Sequence, residues 1–275
     1  MSDDSGNQAG RRDPGDAIGA AVERLRKAAV ARVPCAPVRD LIGAADIGRA
    51  YQVQRHIIAA ALATGDRRVG RKIGLTAPAV QRQLGVEQPD FGTLLESMTA
   101  VQDRPIAAGL LLQPRIEAEI AFVLASGIAD RDPSLAVTAA AIGEARPALE
   151  IVDSRIAGWD ITIADTVADN ASSGMFVLGE QRLTLDEFDP VAVTMTMTED
   201  GTEVSAGSGG ACLGNPLEAV RWLARAAVEL GDPLRAGEVI LSGALGPMVT
   251  VRPGSTYAAT LTGLGLVTAA FETRA

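Results

Sequence analysis

The chain has 275 residues and a formal net charge of -9, with 47% hydrophobic and 21% charged residues. This composition is typical of a globular protein that can bury a sizeable core. The acidic balance, the lack of a long basic run and an aromatic content of only 3% argue against nucleic acid or anionic membranes as partners.

Rare residue types narrow the chemistry further. The two cysteines, Cys35 and Cys212, give neither a disulfide framework nor zinc-ligand spacing. The single histidine, His56, excludes Ser-His-Asp triads, HExxH zinc sites and histidine-rich iron sites unless it is itself catalytic. A lone histidine on a helix is more often a surface residue. Neither a signal-peptide core nor an apolar run of about 18 residues occurs, so we expect a cytoplasmic protein without a membrane span.

The N-terminal part is predicted to hold a tail and two helices. Residues 1–15 are polar and glycine-rich, which predicts a disordered tail. Apolar residues at helical spacing then predict a helical region at 16–68. Its two helices run from Asp16 to about Ala31, and from Asp46 as N-cap to about Thr64 with Gly65 as the stop.

The next segment carries a lysine and an aspartate that border a short strand. The sequence predicts a strand at Arg71–Leu75, a short helix at 77–84 and a turn at Gln88–Gly92. Lys72 and Asp90 are thereby placed near loops, where functional residues concentrate. The alternative for each is ordinary surface chemistry.

The stretch Pro114–Leu124 (PRIEAEIAFVL) is a long apolar run that contains two glutamates. It is predicted to be a strand buried on both faces, and it contains Glu117 and Glu119. Residues two apart on a strand project from the same face, so two like charges would lie side by side. A hard divalent cation such as Mg²⁺ or Mn²⁺ would offset their desolvation and repulsion. The alternative is an edge strand whose glutamates face solvent or meet arginines.

A second strand-like run, from Pro147 to Ile156, also has acids embedded among apolar residues. Glu150 is a candidate third oxygen ligand if this strand neighbours the first. Asp153 alternates to the opposite face, so we expect it to pair with a basic residue such as Arg155.

Small hydrogen-bonding residues crowd the segment Asp165–Gly174 (DTVADNASSG). We predict a loop here, which is either a solvated turn or a loop whose hydroxyl groups, including those of Ser172 and Ser173, position a polar substrate.

The C-terminal part is predicted to hold a hairpin, a helix and four short strands. The Glu199-Asp200-Gly201 turn marks the hairpin, and Asn215-Pro216-Leu217-Glu218 is a capping box that begins a helix ending at Gly231. The glycine-rich pieces match neither a P-loop nor a dinucleotide fingerprint, and no GxSxG elbow occurs. Nucleotide and serine-hydrolase chemistry are therefore disfavoured.

Taken together, the motifs resemble the 2-keto-4-pentenoate hydratase family of the fumarylacetoacetate hydrolase superfamily. The resemblance covers about Gly70 to Phe271 and rests on GRKIGLT, LGVEQPDFG, PRIEAEIAFVL, ALEIVDSRI, DTVADNASSG, ACLGNPLEA and LSGALGPMV, in this order. It implies an α+β fold, with a mixed β-roll or barrel, flanking helices and a small helical N-terminal layer. The catalytic domain would span 69–275.

The resemblance also implies a reaction and a site. The reaction is hydration of 2-hydroxypenta-2,4-dienoate to 4-hydroxy-2-oxopentanoate in the meta-cleavage degradation of aromatic compounds. The implied metal ligands, for Mg²⁺ or Mn²⁺, are Glu117, Glu119 and Glu150. The implied acid–base and substrate-binding groups are Lys72, Asp90 and Ser172 or Ser173. The implied partners are a small 2-oxo acid substrate, further copies of the chain in a homo-oligomer, and a related decarboxylase or the downstream aldolase.

One departure and two alternatives accompany the resemblance. Hydratases of this type often have histidine where this chain has Asn215, which puts any catalytic role for that histidine in doubt here. The alternative enzyme is a 2-oxo-3-hexenedioate decarboxylase, whose substrate carries a second carboxylate and needs an extra cation in the pocket. The alternative from another class is a non-enzymatic scaffold that binds structural Ca²⁺.

Overall fold

The computed structural model describes residues 14–77, 81, 86, 88–102 and 104–273. The predicted tail lies outside these residues except for its last two, and the predicted helix at 77–84 lies almost entirely outside them. The helices are α1 Pro14–Ala31, α2 Arg39–Ile42, α3 Ile47–Ala63, α4 Leu135–Ala141, α5 Ile163–Ala168 and α6 Pro216–Glu229. The strands are β1 Arg68–Gly74, β2 Asp90–Leu95, β3 Thr99–Ala100, β4 Pro114–Leu124, β5 Ile142–Asp153, β6 Ser173–Leu178, β7 Thr194–Glu199, β8 Thr202–Ser208, β9 Val239–Leu241, β10 Val249–Thr250, β11 Thr256–Leu261 and β12 Gly265–Ala270.

Helices α1 to α3 form an N-terminal layer with an apolar core of its own. The Asp46 carboxylate accepts the Arg49 backbone N–H at 2.9 Å, which satisfies one of the free donors at the start of α3. Gly65 follows the helix with a φ of +100°, in the left-handed region that favours glycine. The predicted bounds of α3 are therefore confirmed. Apolar side chains of the layer pack against α5, which joins the layer to the rest of the chain.

Two sheets make up the remainder. The larger has eight strands in the order β2-β1-β9-β4-β5-β6-β3, with β10 paired to β4, and the smaller has the order β12-β11-β7-β8. Strands β1 and β9 pair in parallel, as do β3 and β6, while β4 and β5 pair antiparallel. The sheet is thus mixed, and the main core lies between the two sheets and α6.

Strand β4 lies at the centre of the large sheet, as its apolar sequence predicts. It pairs with β5 along its whole length, and Glu117 faces Glu150 across the ladder. Its residues from Ile116 to Leu124 are mostly buried. This register places Glu117 and Glu150 on adjacent strands. The sequence alone did not show whether these two strands are neighbours.

The predicted turn at Gln88–Gly92 is wrong for its second half. Asp90, Phe91 and Gly92 belong to β2, where Gly92 pairs with Lys72 and Asp90 pairs with Gly74. Aspartate and glycine are poor strand formers, which favoured the turn. Gly92 is needed in the strand because a Cβ there would clash with the backbone carbonyl of Asn170.

The predicted loop at Asp165–Gly174 is also wrong. Asp165 to Ala168 are the end of α5, and Asn170–Ser172 form a 3-10 turn that leads into β6. The missed signal is a capping box, in which the Thr162 backbone N–H donates to the Asp165 carboxylate at 2.9 Å.

Helix α6 begins where its capping box predicts. The Asn215 side-chain oxygen accepts the Leu217 backbone N–H at 2.9 Å, and Pro216 occupies the first turn. Across the described parts of the chain, no helix combines the length and the apolar character needed to cross a membrane.

Candidate active site

Three glutamates converge at the middle of the large sheet. Glu117 and Glu119 project from one face of β4, and Glu150 projects from the neighbouring β5. One carboxylate oxygen from each residue lies within 4.8 Å of the other two. Glu119 and Glu150 are buried and Glu117 is half-buried. Two of the carboxylates are therefore excluded from solvent, and the third faces the cavity.

The hydrogen bonding of these glutamates is incomplete. The Gly243 backbone N–H donates to one Glu119 oxygen at 2.7 Å. Among the described residues, the other Glu119 oxygen and one oxygen of Glu150 have no donor, and the second Glu150 oxygen meets only the Lys72 ammonium at 3.0 Å. Buried carboxylate oxygens without donors are costly, and an all-oxygen set of this kind fits a hard divalent cation. The donor set therefore fits the metal that the sequence predicts.

The electrostatics of the metal-free cluster lead to the same interpretation. Burial, together with repulsion from Glu150, raises the pKa of Glu117 to about 7. The same two effects, with added repulsion from Glu117, raise the pKa of Glu119 well above its usual range. The cluster carries more negative charge than its surroundings neutralise, and a cation would relieve this.

Lys72 lies beside the glutamates and supplies one positive charge. Its ammonium nitrogen is 3.0 Å from a Glu150 oxygen, and both side chains are buried. Burial opposes the charged form, but the attraction of Glu150, Asp90, Glu117 and Glu119 outweighs it and raises the pKa of Lys72. Lys72 is on β1, within the predicted strand, whereas Asp90 is on β2 and not in the predicted turn. Both side chains line the cavity.

Asp90 faces the same space from β2. Its carboxyl is buried, and within the described ranges its Oδ1 has no hydrogen-bond partner. Burial raises the pKa of Asp90, while attraction by Lys72 and a hydrogen bond from Thr166 lower it in part. Gly74 lets the carboxyl approach, because a Cβ there would clash with Oδ1.

The turn that carries Ser172 has an unusual backbone. Asn170, Ala171 and Ser172 have φ values of +54°, +51° and +53°, in the left-handed region that favours glycine. The Asn170 side chain holds this turn against β2, accepting from Thr93 N–H at 2.8 Å and donating to Thr93 C=O at 2.9 Å. Strain of this kind is commonly found at functional sites.

The two candidate serines differ in position. Ser172 lines the cavity, and its hydroxyl lies 3.4 Å from that of Thr166. The Ser173 hydroxyl instead donates to the Asn170 carbonyl at 2.7 Å. Ser172 is thus free to contact a ligand, whereas Ser173 stabilises the turn.

A cavity of about 370 Å³ opens onto these residues. Its wall combines Lys72, Asp90, Glu117 and Ser172 with apolar groups, and it includes Arg115 and Trp159. The volume suits a small organic acid. The three glutamates, Lys72, Asp90 and Ser172 are therefore brought together, while His56 is exposed on α3.

Sequence reasoning missed Arg115, Trp159 and Thr166 as cavity residues. Arg115 could have been found by the alternation that paired Glu117 with Glu119, since it is two residues earlier on the same strand face. Nothing in the local sequence marks Trp159 or Thr166.

The predicted pairing of Asp153 with Arg155 is wrong. The Asp153 carboxylate accepts backbone N–H groups of Leu112 and Gln113, at 3.0 and 2.6 Å. Arg155 instead pairs with Asp169, which also accepts its backbone N–H at 2.9 Å.

The chain is similar to a known protein family and to characterised enzymes. The family described as Fumarylacetoacetate (FAA) hydrolase C-terminal matches residues 72–272. The chain is 50% identical over 249 residues to the 2-keto-4-pentenoate hydratase of Paraburkholderia phymatum, which is 90% of this chain and 95% of that protein. It is 51% identical over 255 residues to the TodF product hydratase of Pseudomonas putida, which is 93% of this chain and 95% of that protein.

One solved enzyme is similar over nearly the whole structure. The 4-oxalocrotonate decarboxylase from Pseudomonas putida G7, complexed with magnesium and adipate, has a TM-score of 0.91 at 32% identity and covers 95% of this chain and 100% of that chain. Its complex with calcium and acetate has a TM-score of 0.89.

The family match and the fold agree with each other. The match begins at Lys72 and includes the three glutamates, Asp90 and Ser172. The predicted α+β architecture, with a mixed sheet and flanking helices, is confirmed. The chain belongs to the fumarylacetoacetate hydrolase family.

Proposed function

We propose that this protein hydrates 2-hydroxypenta-2,4-dienoate to 4-hydroxy-2-oxopentanoate, as a hydro-lyase in the meta-cleavage degradation of aromatic compounds. The observation that carries the proposal is the convergence of Glu117, Glu119 and Glu150 within 4.8 Å beside a cavity lined by Lys72 and Asp90. Two relatives that are each about 50% identical to this chain are named as hydratases, which supports the choice of reaction.

The three glutamates would hold the divalent cation, with Mg²⁺ or Mn²⁺ as the proposed ions. Such an ion, when bound, supplies a Lewis acid that polarises the oxygen of a 2-oxo acid. Glu119 is fixed by the Gly243 N–H, and Glu117 is half-buried at the cavity wall. The protein thus keeps two ligands rigid and leaves the third side of the cluster open to substrate.

Lys72 and Asp90 are the proposed proton-handling groups. Lys72 is paired with Glu150 and has a raised pKa, so it stays charged and stabilises negative charge that develops on substrate. Asp90 has a raised pKa and an Oδ1 without a partner among the described residues. A carboxyl in this state is suited to accept and return a proton.

The proton balance of the reaction assigns each group a task. The proton of the substrate's 2-hydroxyl leaves to Asp90, and Asp90 returns it to C5, which gives an α,β-unsaturated 2-oxo acid. Water then adds its oxygen at C4, and the remaining proton is added at C3. Ser172 lines the cavity and is proposed to orient substrate or water, whereas Ser173 supports the turn.

An ultraviolet assay of the purified protein tests the proposal. With Mg²⁺ present, the dienol absorbance of 2-hydroxypenta-2,4-dienoate should disappear and 4-hydroxy-2-oxopentanoate should accumulate without CO₂. Persistence of the dienol with both Mg²⁺ and Mn²⁺ would refute the proposal.

The second candidate is the decarboxylase. It is favoured by the TM-score of 0.91 with 4-oxalocrotonate decarboxylase, and CO₂ release from 2-oxo-3-hexenedioate would support it. If neither substrate reacts, tight Ca²⁺ binding would support the scaffold. Assembly into a homo-oligomer, association with a related decarboxylase or the downstream aldolase, and a cytoplasmic location remain predictions, and sedimentation with and without these enzymes tests the assembly.

A further inference from the structure

Arg115 lines the cavity and is held there by two contacts. Its guanidinium carbon is 4.4 Å above the centroid of the Trp159 ring. One of its nitrogens is 3.7 Å from the sulfur of Met248. The ring contacts the guanidinium through its π-face and accepts no N–H hydrogen bond in its plane, so the N–H donors of Arg115 stay available to a ligand.

The charge of Arg115 has no ion-pair partner among the described residues. In the part of the chain that the structure describes, Arg115 forms no ion pair with an aspartate or glutamate, and methionine sulfur is only a weak acceptor. Among the described residues of the cavity wall, the other cation is Lys72, which is already paired with Glu150. Of the cations that the structure describes on this wall, Arg115 is therefore the one available to an incoming anion.

We infer that Arg115 binds the carboxylate of the 2-oxo acid substrate, and so sets the preference of the cavity for an anionic ligand. The inference rests on the proposed function for its substrate. A guanidinium binds a carboxylate through two parallel N–H···O bonds, and an anion needs such a donor in a cavity that four acidic side chains face. The carboxylate replaces the weak contact with Met248.

Trp159 is a positioning residue for Arg115. Its ring nitrogen donates to the Gln113 carbonyl at 3.1 Å, which fixes the orientation of the ring. Arg115 is therefore oriented before substrate binds, and the binding loses less side-chain entropy.

The test compares wild type with Arg115→Met, Arg115→Lys and Arg131→Met. Methionine keeps the apolar contact with Trp159 but removes the charge, and Arg131 is an exposed arginine that does not line the cavity. With Mg²⁺ present, we expect Arg115→Met to raise KM for the dienoate by about 10- to 100-fold, with kcat within about threefold of wild type. The KM of Arg115→Lys should lie between those of wild type and Arg115→Met, and the KM of Arg131→Met should match that of wild type.

A binding measurement without turnover makes the test independent of the reaction. Calorimetry on the magnesium-loaded protein should show about 10- to 100-fold weaker binding of pyruvate by Arg115→Met, and equal binding of methyl pyruvate, which has no carboxylate. Magnesium alone should bind Arg115→Met at least as tightly as wild type, because a positive charge near Glu117 is removed.

The outcomes separate this inference from the proposed function. Unchanged pyruvate affinity in Arg115→Met, or a loss of kcat with unchanged KM, would overturn the role of Arg115. A loss confined to a dicarboxylate such as 2-oxo-3-hexenedioate would overturn it as well, because Arg115 would then bind the distal group. If wild type does not turn over the dienoate but pyruvate binding still depends on Arg115, the proposed reaction fails and the inference stands.

Discussion

At the residue scale, the central feature is a surplus of carboxylates around one lysine. Glu117, Glu119, Glu150 and Asp90 all face Lys72. Glu119 is completely buried, so its negative charge has no access to water. A bound cation would turn this repulsion into attraction, which makes metal content and stability parts of the same equilibrium.

Glu119→Gln tests this coupling. Glutamine keeps the shape but removes the charge, so magnesium-dependent activity should fall at least 100-fold. Without metal, the variant should be as stable as wild type or more so, because a source of repulsion is removed. Saturating magnesium should stabilise wild type, by about 2.7 kcal/mol at 100 times Kd, and should not stabilise the variant.

Thermal melting with and without magnesium measures these differences. Glu203→Gln, an exposed substitution on β8, is the matched control and should behave as wild type. Equal magnesium stabilisation of Glu119→Gln and wild type would contradict the assignment of Glu119 as a ligand.

The left-handed turn gives a second prediction at this scale. Ala171 has a φ of +51°, a conformation that costs an L-residue about 1–2 kcal/mol and glycine almost nothing. Ala171→Gly should therefore leave the free energy of unfolding unchanged or raise it by up to about 1 kcal/mol, because the flexibility of glycine in the unfolded chain offsets part of the gain.

The control for Ala171→Gly is Ala60→Gly, at an exposed position inside α3. There the same substitution should lower the free energy of unfolding by about 1 kcal/mol. Urea titrations of both variants give the comparison. A loss of stability in Ala171→Gly as large as in Ala60→Gly would show that the turn is not strained.

At the element scale, the start of α5 is the anchor of the N-terminal layer. The Asp165 carboxylate accepts the backbone N–H groups of Val38 and Arg39, each at 2.9 Å, and contacts the Arg39 guanidinium at 2.8 Å. It also accepts the Thr162 N–H at 2.9 Å. One side chain thus joins the beginnings of two helices that are far apart in sequence.

Asp165→Asn should lower the free energy of unfolding at pH 7 by about 3 kcal/mol, since a buried charge pair is broken. Asp160→Asn is the matched control, because Asp160 pairs with the same Arg39 at 2.7 Å but is 68% exposed. Its effect should stay below about 1 kcal/mol. Urea titration measures both.

The pH dependence of this difference has a defined sign. Burial favours the protonated form of Asp165, but the hydrogen bonds from Thr162 and Arg39 outweigh it and hold the pKa below its usual value. The stabilisation is therefore complete above about pH 4 and is lost as the pH falls through the lowered pKa. The gap between wild type and Asp165→Asn should narrow below pH 4. A gap that stays constant down to pH 2 would contradict this.

Elements were predicted correctly from the sequence where a single strong pattern marks them. They were missed where the residue types favour a different local structure. Strand β4 was predicted because its apolar run is long, and α6 because its capping box is complete. Strand β2 was missed because Asp90 and Gly92 look like turn residues, and their strand conformation depends on a close contact with Asn170. Such a contact between distant segments is invisible to local patterns.

The site shows the same division. Glu117 and Glu119 followed from strand alternation, and Glu150 from an acid within an apolar run. Their convergence could not be predicted from the residues alone, because it depends on the alignment of β4 with β5. The resemblance to a family supplied the remaining groups, and it left the choice between Ser172 and Ser173 open.

At the scale of the whole molecule, the N-terminal layer is connected to the site through Gln54. This side chain is 3% exposed, and its amide donates to the carbonyls of Phe91 and Val167 at 2.9 and 3.0 Å. Phe91 follows Asp90, and Val167 follows Thr166, which donates a hydrogen bond to Asp90, so α3 supports both the proposed proton acceptor and its hydrogen-bond donor. The boundary between the helical N-terminal region, 16–68, and the catalytic domain, 69–275, stays a prediction.

Gln54→Leu should leave two buried carbonyls without donors and lower the free energy of unfolding by about 2–4 kcal/mol. It should also lower kcat about tenfold, because a displacement of Asp90 weakens proton transfer. Gln52→Leu, on the same helix, is the control. Urea titration and steady-state kinetics measure the two effects, and a loss of stability with unchanged kcat would refute the connection to the site.

Because Glu117 faces Glu150 across the β4–β5 ladder, the cluster exists in only one alignment of these strands. A slip of β5 by one residue would turn Glu150 to the other side of the sheet, and a slip by two would move it about 7 Å along the strand. Uptake of a divalent cation by refolded protein therefore counts the molecules whose strands are correctly aligned. A titration with magnesium can serve as an assay of folding fidelity, even for variants that have no catalytic activity.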